Sequence, residues 1–125
     1  MVTRRMKPEV KQKWVTALRS GKYTQGKAML RQEVKIQETG AVVKLHCCLG
    51  VLCELYMDDT HESIPMLREL PPSAVLEWAG LNTAQPGVCS RSGLNLAALN
   101  DGYRVDNTIK GLTFDEIADL IEEEF

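Results

Sequence analysis

Leu49, Leu52, Cys53 and Tyr56 recur at helical spacing while Val51 and Leu55 fill the opposite side, so the short helix that begins at Cys48 is apolar nearly all round. A helix with no polar face has nowhere to sit except the centre of a core, with other elements wrapped around it. Gly50, inside this helix, is where a neighbouring element can approach closely. The segment is too short and too interrupted to cross a bilayer. With 125 residues, 44% of them hydrophobic, the chain is expected to close one core as a single domain over residues 1–125.

The flanking sequence supplies the wrapping. Pro8 suits a first helical turn, and Val10, Trp14, Val15 and Leu18 then follow at helical spacing up to Gly21. After a polar connection, Lys22 to Gly26, the apolar residues Met29, Val34, Ile36, Val42, Val43 and Leu45 lie on both sides of Glu38-Thr39-Gly40, which predicts a β-hairpin turning near Gly40. Asp58 to Ser63 reads as a solvent-facing loop. Leu70-Pro71-Pro72 opens a second short helix with Val75, Leu76 and Trp78, closed by a left-handed Gly80. Residues 82–93 read as loop with one brief strand near Val88, Leu94 to Leu99 as a turn or two of helix, and Asn100-Asp101-Gly102 as a turn. One strand is expected from Tyr103 to Ile109. Thr113 with Glu116 forms a capping box ahead of Phe114, Ile117, Leu120 and Ile121, so a final amphipathic helix is expected. The fold class is therefore α+β: a central apolar helix and flanking helices packed on a hairpin or small antiparallel sheet.

The net charge of −2 conceals a dipole. Residues 1–35 hold ten Lys or Arg against Glu9 and Glu33, a surplus of +8, and the remainder carries −10. Such a chain can attract an anion at one end or a basic partner at the other, it can assemble head to tail as a homo-oligomer, or its two poles can pair within the fold. The N-terminal segment has charge without a following apolar stretch, so neither a signal peptide nor an anchor is expected, and Cys47, Cys48, Cys53 and Cys89 are expected to remain thiols in a reducing cytoplasm.

Gly21-Lys22-Tyr23-Thr24 partly matches a phosphate-binding loop, but the first glycine is missing, Tyr23 replaces the hydroxyl residue, and a helix precedes it where a strand is needed. A nucleotide hydrolase of that type is excluded. What remains is a glycine-bounded connection with Arg19, Lys22, Tyr23, Gln25, Lys27 and Arg31, which supplies cations, an amide and one aromatic face, the groups that hold a phosphate and stack a base. His46, Cys47, Cys48, Cys53 and Cys89 lack the paired thiol spacing of a zinc site, and the Asp58, Asp59, His61, Glu62 run is an ordinary solvated loop, so no metal and no cofactor are expected. No serine stands in a nucleophile elbow and no catalytic constellation is visible.

Several segments together carry a resemblance: Lys13 to Gly26, Cys47-Cys48-Leu49-Gly50-Val51-Leu52-Cys53, Leu70-Pro71-Pro72 with Glu77-Trp78-Ala79-Gly80-Leu81, Leu96 to Asp101, and Phe114 to Ile121. The chain resembles a family of small, largely uncharacterised accessory proteins of tailed bacteriophages and prophages. It departs from that pattern in a longer stretch between Arg31 and His46 and in extra residues between Asp101 and Gly111. The resemblance implies a bacterial host cytoplasm and an accessory, counter-defence role, with no catalytic residues to carry over. Three functions follow as expectations: capture of an anionic, nucleotide-type small molecule; blocking of a host protein through the acidic helix bearing Asp115, Glu116, Asp119, Glu122, Glu123 and Glu124; and hydrolysis of the same nucleotide signal.

Overall fold

The computed structural model describes residues 7–26, 29–67, 70–80, 103–105, 108–110 and 113–124. The order is α1 (Pro8–Arg19), β1 (Thr24–Gln25), β2 (Arg31–Lys35), β3 (Val42–His46), α2 (Cys48–Thr60), α3 (Ser73–Ala79), β4 (Tyr103–Val105), β5 (Thr108–Lys110) and α4 (Phe114–Glu124). This is an α+β fold, and α2 lies at its centre as the all-round apolar pattern requires. Cys48, Leu49, Val51, Leu52 and Cys53 are all closed to solvent. Helix α1 lays Val10, Trp14, Val15 and Leu18 against it, and Trp14 Nε1 donates to Cys48 O at 2.9 Å, which ties α1 to the first turn of α2. Phe114, Ile117, Ala118 and Ile121 of α4 and Val75, Leu76 and Ala79 of α3 complete the core.

Gly50 is the tightest point of the assembly. A Cβ there would lie 1.8 Å from Leu30 O and 2.6 Å from Leu30 C, so the backbone leading into β2 passes directly over α2 where a side chain would stand. Cys47 has a second role beside packing, because its Sγ accepts from Gly50 N at 3.3 Å as the N-cap of α2. At the C-terminal end of α3 and the N-terminal end of α4 the sequence signals hold. Gly80 has φ 81° after α3, and Thr113 N donates to Glu116 Oε1 at 3.0 Å while Glu116 N donates to Thr113 Oγ1 at 3.2 Å.

The hairpin also forms as expected, with Val34 opposite Val43 and Gly40 at φ 71° in the turn. The sheet is nevertheless mixed, not antiparallel throughout. Its order is β1-β3-β2, and β1, which falls within the stretch read as a polar connection, runs parallel to β3 with Gln25 beside His46. Two residues are too few for alternation to show, and the pairing comes from the turn at Gly21 that delivers the chain to the β3 edge. Two further readings are corrected. Asp58 to Thr60 form the last turn of α2, with His61 as a left-handed cap at φ 61°, because Trp78 Nε1 donates to Asp59 Oδ2 and Tyr56 stacks edge-on against Trp78, holding the turn that Asp residues alone would leave open. Trp78 is accordingly half-buried with its N–H engaged. The expected strand from Tyr103 to Ile109 is two short antiparallel strands, Tyr103 pairing with Lys110. The readings at residues 82–93, 94–99 and 100–102 lie outside the described residues. Among the described residues no helix is long and apolar enough to cross a membrane.

Candidate functional site

The basic N-terminal third and the acidic final helix meet inside the molecule. Arg19, at the C-terminal end of α1, donates through Nη1 and Nη2 to the carboxylates of Glu122 and Asp119, and Lys11 Nζ donates to Glu122 O at 3.0 Å. These contacts are exposed and contribute little stability, but they occupy two of the acidic residues that a nucleic-acid mimic would present, and Glu116 is already in the capping box. Arg19 thereby loses most of its value as an anion ligand.

The remaining predicted residues gather elsewhere. Residues opposite one another on neighbouring strands point to the same face, so Gln25 of β1, His46 of β3 and Arg31 of β2 form one row across the sheet. Glu54 of α2 reaches this row: its Oε2 lies 2.7 Å from His46 Nε2 and 3.5 Å from Arg31 Nη1. His46 bonding and the Arg31 charge hold the Glu54 carboxyl below the usual carboxylate range, overcoming the opposing effect of burial. An ionised Glu54 fixes the hydrogen on Nε2. His46 Nδ1 is then a buried polar atom with no partner among the described residues, on a side chain only 5% exposed. Tyr23 closes the other side. Its ring meets the imidazole edge-on at 5.1 Å, burial with Glu54 and Asp58 nearby pushes its hydroxyl upward in pKa, and Lys22 Nζ stands 5.5 Å over its ring.

Two concavities flank the row. Arg19, Tyr23 and Gln25 line a cleft of about 270 Å³ whose far wall carries Asp115. Arg31 lines a larger recess, about 560 Å³, with Glu33 and the apolar segment Ile64 to Leu67. Of the six predicted ligand residues, the structure therefore brings Tyr23, Gln25 and Arg31 to the His46 row with Lys22 beside them, pairs Arg19 away, and leaves Lys27 outside the described residues. At the Asp58–Glu62 stretch, Asp59 accepts from Trp78 and Glu62 from Tyr56 OH at 2.6 Å. No three described His, Cys, Asp or Glu side chains converge as a metal would require.

His46 and Glu54 were not singled out as a pair by the sequence. The signal was present: Glu54 is the one charged residue between Cys47 and Met57, on a helix with no polar face, and a carboxylate there needs a cationic or hydrogen-bonding partner. Which partner it finds depends on the sheet register, which the sequence does not state.

No curated protein and no solved structure matches the sequence. One family model does, over residues 6–125, and the chain therefore belongs to the family described as domain of unknown function DUF8296.

Proposed function

We propose that this protein is a non-catalytic accessory binding protein that captures an anionic, nucleotide-type small molecule along the Tyr23–His46–Arg31 row. The reading is carried by one observation: an aromatic ring, an amide and a guanidinium are brought side by side around a buried histidine that has an unused ring nitrogen. The larger recess beside Arg31 has the volume of an ordinary small-molecule site, with apolar walls from Ile64 to Met66 suited to a base. Charge limits the ligand. Arg31 is shared with Glu54, and Glu33 stands in the same wall, so a phosphodiester with one or two charges suits the row better than a polyphosphate. A phage counter-defence role in a bacterial host cytoplasm rests on the sequence resemblance, and there such a protein would sequester an immune signal.

Calorimetry of the intact chain against cyclic and linear nucleotides tests this reading. A cyclic nucleotide should bind, Tyr23→Ala and Arg31→Ala should each weaken it at least about tenfold as loss of a stacking or charged contact does, and Arg19→Ala should change it little. Binding to none of the panel, or binding indifferent to Tyr23 and Arg31, overturns it. The His46–Glu54 contact favours one second reading, hydrolysis of the same ligand, because a carboxylate-oriented imidazole is a general-base arrangement. Return of the ligand intact after incubation separates capture from hydrolysis.

A further inference from the structure

The β2–β3 hairpin turns its apolar face away from the core. Opposed pairs share a face, so Gln32, Val34 and Ile36 lie with Val43 and Leu45 on the side opposite His46. Among the described residues none of these belongs to the core cluster; Val34 and Ile36 are 45% and 40% exposed, while Val43 and Leu45 are half-buried, Leu45 lying against Gly26. At the border of this face, β2 is the edge strand of the sheet among the described residues. Ile36 bonds inward to Ala41, its N–H donating at 2.8 Å, so the even-numbered residues of β2 face β3 and the backbone groups of Arg31, Glu33 and Lys35 point outward. Arg31 N donates to Met66 O at 3.1 Å, which closes the edge at that end with the chain's own segment. The outward groups of Glu33 and Lys35 have no backbone partner among the described residues.

An edge is commonly guarded by charge of one sign, which repels a copy of itself. Here the two outward positions carry opposite charges. A second copy of β2 running antiparallel, with the twofold axis beside Val34, sets Glu33 of each copy opposite Lys35 of the other and Val34 opposite Val34. Both Glu33–Lys35 positions are then hydrogen-bonded pairs, because both residues point their backbone groups outward. A slip by two residues in one direction opposes Glu33 to Glu33, and in the other Lys35 to Lys35. A slip by one residue sets an outward N–H against a residue whose groups face inward. One register alone satisfies the ladder, the charges and the apolar face together.

We propose that two copies of this chain associate through β2 in that register, joining their sheets edge to edge. Glu33 also lines the recess beside Arg31, but the proposal is read by self-association alone and stands whether or not the histidine row binds a nucleotide. Sedimentation velocity on the intact protein over a concentration series, at low salt, tests it with three charge variants at these exposed positions, each checked for native circular dichroism. The unmodified protein should dimerise. Glu33→Lys and Lys35→Glu should each weaken the dimer on the order of tenfold or more, since each turns two attractive cross-strand pairs into repulsive ones. The double exchange, Glu33→Lys with Lys35→Glu, should restore it. A monomer at every concentration, a dimer insensitive to the single reversals, or a double exchange that fails to recover association would each overturn the proposal.

Discussion

Around α2 every residue from Cys48 to Cys53 is shut away from solvent, whereas on the β2–β3 hairpin Val34, Ile36 and Val42 remain 45%, 40% and 58% exposed. Both regions are rich in Val and Leu. They differ in what covers them. Helix α2 receives α1, α3, β3 and the Leu30 backbone from several directions, while on the apolar face of the hairpin Gly26 covers Leu45 and the described part of the chain leaves Val34 and Ile36 open. The same residue types therefore carry folding energy in one place and an open surface in the other, and substitutions should act on different quantities in the two regions.

The sharpest break of this contrast is Gly50→Ala. The added methyl would overlap the Leu30 backbone, which cannot rotate aside as a side chain could, so we expect a loss above about 3 kcal/mol or failure to fold. A melting temperature close to that of the unmodified protein would show that the approach of Leu30 to α2 is not part of the folded state. Leu52→Ala, at a fully buried position, should cost roughly 2–5 kcal/mol in denaturant titration. A cost under about 1 kcal/mol would place Leu52 among surface residues and remove the distinction.

The join between the two regions is the His46–Glu54–Arg31 contact, and it gives a pH test. Because the Glu54 carboxyl is held below its ordinary range in the fold, its contribution is complete above that range and is lost as pH falls through the depressed value. Melting temperatures of the unmodified protein and of Glu54→Gln should therefore differ most near neutrality and converge in acid. Parallel curves would mean that this carboxylate is not linked to stability. The smallest effect is expected on the hairpin, where Val34→Thr should change monomer stability by no more than about 0.5 kcal/mol, as exposed positions do. If it unfolds the chain as Leu52→Ala does, the hairpin face is core after all.

Several elements of this fold were legible because each rests on a local rule. The capping box at Thr113 and Glu116, the left-handed Gly80, the turn at Gly40 and the all-round apolar α2 need only short-range geometry, and the structure shows all four. The end of α2 was misplaced because Asp58 and Asp59 read as loop formers, while the actual stop depends on Trp78, far along the chain, holding Asp59. In the candidate site, the chemistry of Tyr23, Gln25 and Arg31 is visible in the sequence. Their assembly is not, since it requires β1 to run beside β3 and Glu54 to lie over the sheet.

The sequence by itself determined helices α1, α3 and α4 and the β2–β3 hairpin, that α2 is central, and that the charge is divided between the two ends of the chain, because these depend on residue type and on spacing along the backbone. Tertiary structure alone decided that Arg19 is taken by Asp119 and Glu122, that His46 and Glu54 form a pair, and that the apolar face of the hairpin looks outward. Each of these is a contact, or the lack of one, between different elements of the fold. Periodicity says which side of an element is apolar, but only the packing of the other elements says whether anything covers it.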